Sequence, residues 1–174
     1  MSRAPRRREV EPAEETLSDL HDLHRMPGHL IRRCHQIVVG LFLEECKEFK
    51  ITPRQFAILN ALSSHPGIEQ TTLAGLAAMD RSTIGNVVYR MEKAGLIARK
   101  DDDSDRRIKR LYLTPEGNRL YKKVLPLVWS SQHAFLEPLN AQEREFFMAL
   151  LGKLADVHNM SSRAPMRSLT AEID

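Results

Sequence analysis

A predicted helix that begins near residue 80 has one apolar face and one polar, cationic face. Its apolar residues recur at intervals of three and four, the period of a buried helical stripe, and they are Ile84, Val87, Val88 and Met91. The opposite face carries hydroxyl, amide and guanidinium groups, which bind base edges and phosphates: Arg81, Ser82, Thr83, Asn86, Tyr89 and Arg90. Thr72, in the short segment before this helix, is placed in the same set. The pattern predicts a helix that contacts double-stranded DNA.

A charged segment follows this helix and lies between two predicted strands, residues 96–99 and 109–113. Asp105 stands just before Arg106 and two residues before Arg107, and a carboxylate at that spacing can hold a guanidinium in one orientation. An arginine held in this way suits a narrow minor groove. An isolated run of this kind is more often a solvated charged loop, but its place after a candidate reading helix favours contact with DNA.

The elements around these residues predict a winged helix-turn-helix over residues 51–117, in a chain that is mainly α with a small β-hairpin wing. One helix ends at Pro66-Gly67, and two short helices meet at a tight corner at Met79-Asp80. Gly95 stands where the second short helix would end. The predicted N-caps are Thr52, Thr71 or Thr72, Asp80 or Ser82, Thr114 and Asn140. This order of elements places the second short helix in the major groove.

The flanks of this unit predict a helical dimerisation region over residues 21–50 and 118–160. The first long helix is expected to run from Pro27 to about Lys50, and a helix that reaches about Pro138 is expected to bend or split at Pro126. The last helix carries an apolar stripe: Phe146, Phe147, Leu150, Leu151 and Leu154. One small winged domain could hardly cover such stripes, so a homodimer is expected. Residues 1–20 and 161–174 are predicted to be a mobile arm and a flexible tail.

Composition is that of a folded globular protein. The 174 residues are 42% hydrophobic and 28% charged, with a net charge of +3. The first residues lack the apolar run of a secretory signal, and no stretch approaches the roughly 20 apolar residues of a membrane span. A cytoplasmic location without membrane association is therefore expected. We also find no phosphate-binding glycine loop, Gly-x-Ser-x-Gly elbow or His-Glu-x-x-His motif, so no enzymatic activity and no cofactor are predicted.

Several motifs in residues 52–117 resemble the signature of the MarR family of bacterial transcriptional regulators. They are Leu73-Ala74, the run from Met91 to Arg99, Asp105-Arg106-Arg107, and the run from Leu113 to Gly117. The resemblance implies an obligate homodimer, two winged domains that bind a pseudo-palindromic operator, and repression as the default action. It also implies that Arg107, or in second place Arg106, reaches into the minor groove.

The resemblance further implies release from DNA by a small, often aromatic, anionic effector. His29, Arg32, Arg33 and His35 cluster near apolar residues at the start of the first helix, which a carboxylate pocket would require. Inter-subunit salt bridges or solvent exposure are the alternative. Residues 26–33 also resemble the first helix of family members tied to breakdown of aromatic acids. The effector would then be a hydroxylated aromatic or heteroaromatic acid, or its coenzyme A thioester, with Phe56 and Trp129 as aromatic walls, unless Trp129 is plain helix core.

Other functions are compatible with single features of the sequence. Cys34 or Cys46 could be a redox-sensing thiol, although a small buried thiol is the simpler interpretation. Zinc bound by His21, His24, His29 or Cys34 lacks a familiar ligand spacing, so no metal is predicted. A winged helix that binds only proteins is the remaining alternative, and it has no need for the cationic face that includes Arg81, Arg90 and Arg107.

Overall fold

The computed structural model describes residues 23–102, 104–105 and 107–167, so the predicted arm at residues 1–20 lies outside the described residues. The chain forms two units, residues 1–37 and 38–174. The first unit contains a short 3₁₀ turn, Leu23–Arg25, and the start of helix α1, Pro27–Glu45. Helix α1 ends five residues earlier than predicted. A second 3₁₀ turn, Lys47–Phe49, follows it and closes on Lys50, whose backbone is left-handed with φ 48°.

Helices α2 (Pro53–Ser64), α3 (Gln70–Leu76) and α4 (Arg81–Lys93) form the helical part of the winged domain. Thr52 caps α2 in a full capping box with Gln55, and Asp80 caps α4. The prediction that Thr71 or Thr72 caps the short helix is wrong. Glu69 precedes α3 and makes no side-chain cap, and Thr71 and Thr72 lie inside the first turn.

A three-stranded sheet replaces the simple hairpin that the sequence predicted. Strands β2 (Ile97–Asp101) and β3 (Lys109–Leu113) pair antiparallel, and β1 (Ile68–Glu69) pairs with the other edge of β3 in the order β1-β3-β2. Two residues are too few to show the alternation of a strand. Strand β1 ends where α3 begins, so the pairing of β1 with β3 sets the start of α3. A threonine cap was expected at this point.

The core of the second unit forms where α2, α3, α4, the sheet and α5 meet. Its most deeply buried side chains are Ile58, Leu59, Leu62, Leu73, Ile84, Val88, Met91, Leu111, Val124, Cys46 and Ser131. Three of the four residues predicted to face inward from α4 belong to this set, and the fourth, Val87, is half-buried and packs against it. The opposite face of α4 is therefore directed to solvent.

Helix α5 (Pro115–Leu136) is one continuous helix that includes Pro126, so of the bend or split predicted there the split does not occur. Thr114 caps it by accepting a hydrogen bond from the Gly117 amide. Helix α6 (Ala141–Val157) begins at Asn140, which forms a capping box with Glu143.

The residues of α6 all lie in the described part of the chain, and every one is exposed or half-buried. Phe146 is 59% and Leu150 is 61% exposed. The predicted apolar stripe is thus left open by the chain's own fold. Among the described residues, no helix is both long and apolar enough to cross a membrane.

The chain after α6 departs from the predicted flexible tail. A 3₁₀ turn, Asn159–Ser161, is followed by residues that bond to other parts of the second unit. The Asn159 side chain bonds the backbone of Met166, and the Arg167 amide donates to the Gly75 carbonyl at 3.1 Å. Residues 161–167 are therefore held by tertiary contacts that no local pattern predicts, and residues 168–174 lie outside the described residues.

Gly117 offers a direct test of how α5 joins the wing. A methyl group on Gly117 would lie 2.1 Å from the Leu96 carbonyl oxygen, which is backbone and cannot rotate away. We expect Gly117→Ala to lower the free energy of unfolding by about 2 kcal/mol or more. Gly85→Ala is the matched control, because that methyl group would meet its nearest neighbour at 3.6 Å and should stabilise α4 by roughly 0.5–1 kcal/mol. Chemical denaturation of both variants measures the difference; equal stabilities would contradict the packing described.

Candidate nucleic-acid interface and apolar cavity

Helix α4 presents most of its predicted DNA-contacting residues to solvent. Arg81, Ser82, Asn86, Tyr89 and Arg90 are exposed. Tyr89 is 57% exposed, and the Lys93 ammonium lies 5.7 Å from the centre of its ring. The face is therefore open, with donors and acceptors of the kind that bind base edges.

Two predicted members of the set are less accessible. Thr83 is half-buried, and its amide and hydroxyl donate to the two carboxylate oxygens of Asp80 at 2.9 and 2.6 Å. These hydrogen bonds lower the pKa of Asp80, and the bond from the Thr83 hydroxyl has the larger effect. Thr83 thus completes the N-cap of α4, which sets where the helix begins. Thr72 is half-buried in α3.

Arg107 is an almost fully exposed cation of the wing. Its side chain is 95% exposed, and its guanidinium Nε lies 3.9 Å from Oδ1 of Asp105. The same carboxylate oxygen accepts a shorter bond, 2.9 Å, from the Arg107 amide. Asp105 therefore orients Arg107 mainly through the backbone and only weakly through the charge pair. Arg106, the second predicted wing arginine, lies outside the described residues.

The base of the wing is held by Asp102 and Arg110, neither of which was among the residues predicted from the sequence to form the site. Asp102 accepts bonds from the Ser104 hydroxyl, from the Ser104 and Asp105 amides, and from Nε of Arg110 at 2.6 Å. These hydrogen bonds hold the pKa of Asp102 well below its usual range, and the bond from the Ser104 hydroxyl contributes most. Arg110 also donates to the Gly67 carbonyl at 3.3 Å. An Asp two residues before Ser is an Asx-turn signal that would have pointed to it.

An apolar cavity of about 330 Å³ lies between helices α1, α2 and α5 within the second unit. Its walls combine aromatic and aliphatic side chains with two amides: Phe42, Pro53, Phe56, Asn60, Leu125, Val128, Trp129 and Gln132. The structure thus brings together Phe56 and Trp129, the two aromatic walls predicted from the sequence. Trp129 is 60% exposed, so the alternative that it is plain helix core is wrong.

Aromatic rings pack against one another on the side of this cavity that faces the core. The rings of Phe42 and Phe56 are 6.2 Å apart, and those of Phe56 and Tyr121 are stacked at 6.1 Å. The Tyr121 hydroxyl donates to the Asn60 side-chain carbonyl at 2.9 Å. Asn60 is therefore oriented by a partner on α5, which fixes where its amide group points.

The predicted basic cluster lies on the part of α1 that belongs to the first unit. Arg32 donates to Gln36 at 2.9 Å and lies 3.4 Å from Nδ1 of His29. Arg33 and His35 are exposed. Within the first unit, contacts thus link His29, Arg32 and Gln36 along the helix. Their role toward an effector stays a prediction.

The two cysteines differ in environment. Cys46 is 1% exposed, and burial, followed by the nearby Glu45 charge, raises its pKa. A raised pKa lowers the thiolate fraction and therefore the reactivity that a redox sensor needs. Cys34 is half-buried on α1. Among the described residues no group of three or more His, Cys, Asp or Glu side chains is placed to hold a metal ion, and His21 lies outside them.

The Asp102 turn makes a prediction about the rigidity of the wing. In Asp102→Ala the amides of the hairpin tip lose their acceptor, so peptides that cover residues 97–113 should exchange hydrogen about tenfold faster or more. Asp101→Ala is the matched control, because its ion pair with Lys109 is about half exposed and contributes little. Hydrogen–deuterium exchange by mass spectrometry measures both. Equal protection in the two variants would show that Asp102 does not hold the wing.

Comparison with known proteins agrees with this geometry. A model described as the MarR family matches residues 51–109. The transcriptional regulator HosA of Escherichia coli O127:H6 is 36% identical over 126 residues, which are 72% of this chain and 92% of HosA.

Two solved structures share the fold. PcaV of Streptomyces coelicolor, in complex with its natural ligand, superposes with a TM-score of 0.73 at 38% identity, covering 78% of this chain and 95% of PcaV. BpsR of Bordetella bronchiseptica, whose DNA binding is regulated by 6-hydroxynicotinic acid, gives a TM-score of 0.72 at 30% identity, covering 75% and 94%. The wing, the open face of α4 and these similarities lead to one conclusion: this chain belongs to the MarR family of winged helix-turn-helix transcriptional regulators.

Proposed function

We propose that this protein is a homodimeric repressor that leaves a pseudo-palindromic operator when a small aromatic acid occupies the cavity between α2 and α5. The observation that carries the proposal is the position of the cavity. One wall, Phe56 and Asn60, belongs to the winged domain, and the other, Trp129 and Gln132, belongs to the long helix that leaves it. A ligand that contacts both walls would favour one relative position of the two helices, and that changes how the winged domain is held.

DNA binding would use both α4 and the wing. The exposed face of α4 carries donors and acceptors that suit the major groove, and Arg107 extends from a hairpin whose base is held by Asp102 and Arg110. The two elements project from one core, so they can engage neighbouring grooves of the same duplex. This division of labour is the common arrangement of such domains.

Dimerisation would use the apolar surface that α6 leaves open. Phe146, Leu150 and Leu154 are each more than half exposed along one helix, and a patch of that size on a single chain favours association. A closed two-fold dimer then holds two α4 helices for two half-sites, about 34 Å apart on the DNA. The pseudo-palindromic operator follows from this symmetry.

The cavity fits a single aromatic ring better than an extended ligand. Its volume is at the lower end of the roughly 300–1,000 Å³ typical of small-molecule sites, and its aromatic walls favour stacking. The amides of Asn60 and Gln132 can orient a hydroxyl or carboxyl group. The regulation of BpsR by 6-hydroxynicotinic acid supports the same class of effector here: a hydroxybenzoic or hydroxynicotinic acid rather than the larger thioester of such an acid.

Arg107→Ala tests the DNA-binding part of the proposal. Removal of the minor-groove contact should weaken binding about 10- to 100-fold, with the dimer intact. The probe is a duplex that the wild-type protein selects from a random library. Fluorescence anisotropy measures the affinity for this duplex, and light scattering shows whether the dimer is intact. Lys123→Ala, which removes an exposed charge from α5, is the control. Unchanged affinity of Arg107→Ala would contradict the wing assignment.

Trp129 makes the effector part directly measurable, because it is the only tryptophan of the chain. A panel of hydroxybenzoic and hydroxynicotinic acids should contain a compound that changes Trp129 fluorescence and releases the selected duplex over the same concentration range. Phe56→Ala should weaken both responses about tenfold while leaving DNA affinity in the absence of acid nearly unchanged. An acid that releases DNA without any change in Trp129 fluorescence would place the effector elsewhere.

Arg33→Ala tests the basic cluster separately. If this cluster binds the effector's carboxylate, the variant should bind the duplex normally and need about tenfold more of the same acid for release. Arg54→Ala, an exposed cation on α2, serves as the charge-matched control. Identical release curves for Arg33→Ala and wild type would remove the cluster from the effector site.

A further inference from the structure

The segment that follows α6 is fastened to the helix-turn-helix. We call residues 159–167 the C-terminal strap. One end is closed by Asn159, whose side-chain amide donates to the Met166 carbonyl at 2.9 Å and whose carbonyl accepts from the Met166 amide at 2.8 Å. The other end is bound to α3, where the Arg167 amide donates to the Gly75 carbonyl at 3.1 Å.

The contact with α3 is close as well as hydrogen-bonded. A methyl group on Gly75 would lie 3.0 Å from Cβ of Arg167 and 3.4 Å from its Cγ. The stem of Arg167 thus packs directly over a glycine in a buried turn of α3. The backbone of the strap is held in a defined place beside the two short helices, so the side chains of its arginines extend from fixed positions.

The strap brings new positive charge to the start of α4. Arg163 and Arg167 line a cavity of about 200 Å³ together with Arg81, the first residue of α4. All three side chains are exposed. Within the described residues, Arg163 and Arg167 form no ion pair and no side-chain hydrogen bond, so their guanidinium donors are available.

One carboxylate, that of Asp80, lines the same cavity. Both of its oxygens already accept hydrogen bonds from Thr83. Three arginines therefore line the cavity with one carboxylate that is engaged in capping, which leaves the cavity and its rim with a net positive charge. A guanidinium fork binds phosphate oxygens with two parallel hydrogen bonds, and this cluster fits a phosphate group better than a neutral or cationic partner.

We propose that the C-terminal strap is a third DNA-contacting element, in which Arg163 and Arg167 bind backbone phosphates of the duplex that α4 reads. The proposal rests on the DNA-binding function above. Arg81 is shared between the exposed face of α4 and the strap cavity, so phosphates beside the α4 contact are the anions nearest to it. Such contacts add affinity without sequence preference and fix the register of the reading helix. Because the strap is already anchored, little chain entropy is lost on binding.

The test compares full-length variants on two duplexes of about 30 bp, long enough for two half-sites. One duplex is selected by the wild type, and the other is unselected with the same base composition. The variant Arg163→Ala/Arg167→Ala should bind both duplexes about tenfold more weakly. The plot of log Kd against log salt should become shallower by about 1 for each phosphate that the variant no longer binds. Arg163→Lys/Arg167→Lys should recover most of the affinity.

Two further variants separate charge from structure. Lys122→Ala/Lys123→Ala removes two exposed charges from α5 and should change neither affinity nor salt slope appreciably. Asn159→Ala keeps both guanidinium groups but releases the loop that carries them, and it should give an intermediate loss of affinity with thermal stability close to wild type.

Three results would overturn the proposal. Equal affinity and slope for Arg163→Ala/Arg167→Ala and wild type would make the strap a structural brace only. Tighter binding by that variant would show that the strap covers the reading face. Tighter duplex binding by the wild type on adding inorganic phosphate, with no such change in Arg163→Ala/Arg167→Ala, would make the cavity a site for a free anion. Failure of the wild type to bind any duplex is a different outcome, since it removes the DNA-binding function itself before any strap variant is compared.

Discussion

The burial of one face of α4 is the constraint on which the rest of the structure depends. Ile84, Val88 and Met91 are each at most 1% exposed, and burying three such side chains contributes several kcal/mol, at about 1.5–3 kcal/mol each. A rotation of α4 about its axis would lose this burial, so the polar face can point in only one direction. The Asp80–Thr83 cap then sets where the helix begins. The buried face and the cap together fix the orientation and the starting point of α4.

The wing and the cavity are attached to the same core from two sides. The wing begins directly after α4, and Gly117 lets α5 start in contact with the Leu96 carbonyl. Further along α5, Trp129 and Gln132 line the cavity opposite Phe56 and Asn60 of α2. One continuous helix thus joins the base of the wing to the proposed effector site. In the proposed mechanism, a change of packing at the cavity would reach the DNA-binding surface through this helix, which Pro126 does not interrupt.

Local signals explain what could be predicted from the sequence. The caps at Thr52, Asp80, Thr114 and Asn140 depend on residues three positions apart, and the buried face of α4 depends on helical periodicity; both can be found without a structure. What was missed depends on contacts between distant residues. Strand β1 exists because it pairs with β3, Asp102 is fixed by Arg110 across the hairpin, and residues 161–167 are ordered by Gly75 and Asn159. The pairing of Phe56 with Trp129 was predicted from family resemblance, and only the fold shows that they line one cavity.

In the proposed complex with DNA, α4 occupies the major groove while the wing tip occupies the adjacent minor groove. Dimethyl sulfate methylates guanine N7 in the major groove and adenine N3 in the minor groove. Dimethyl sulfate footprinting of the complex with the selected duplex therefore reports the α4 contact and the wing contact separately. We expect two patches of guanine N7 protection about 10 bp apart, flanked on their outer sides by adenine N3 protection. A bound complex with unprotected guanine N7 positions at both half-sites would contradict this arrangement.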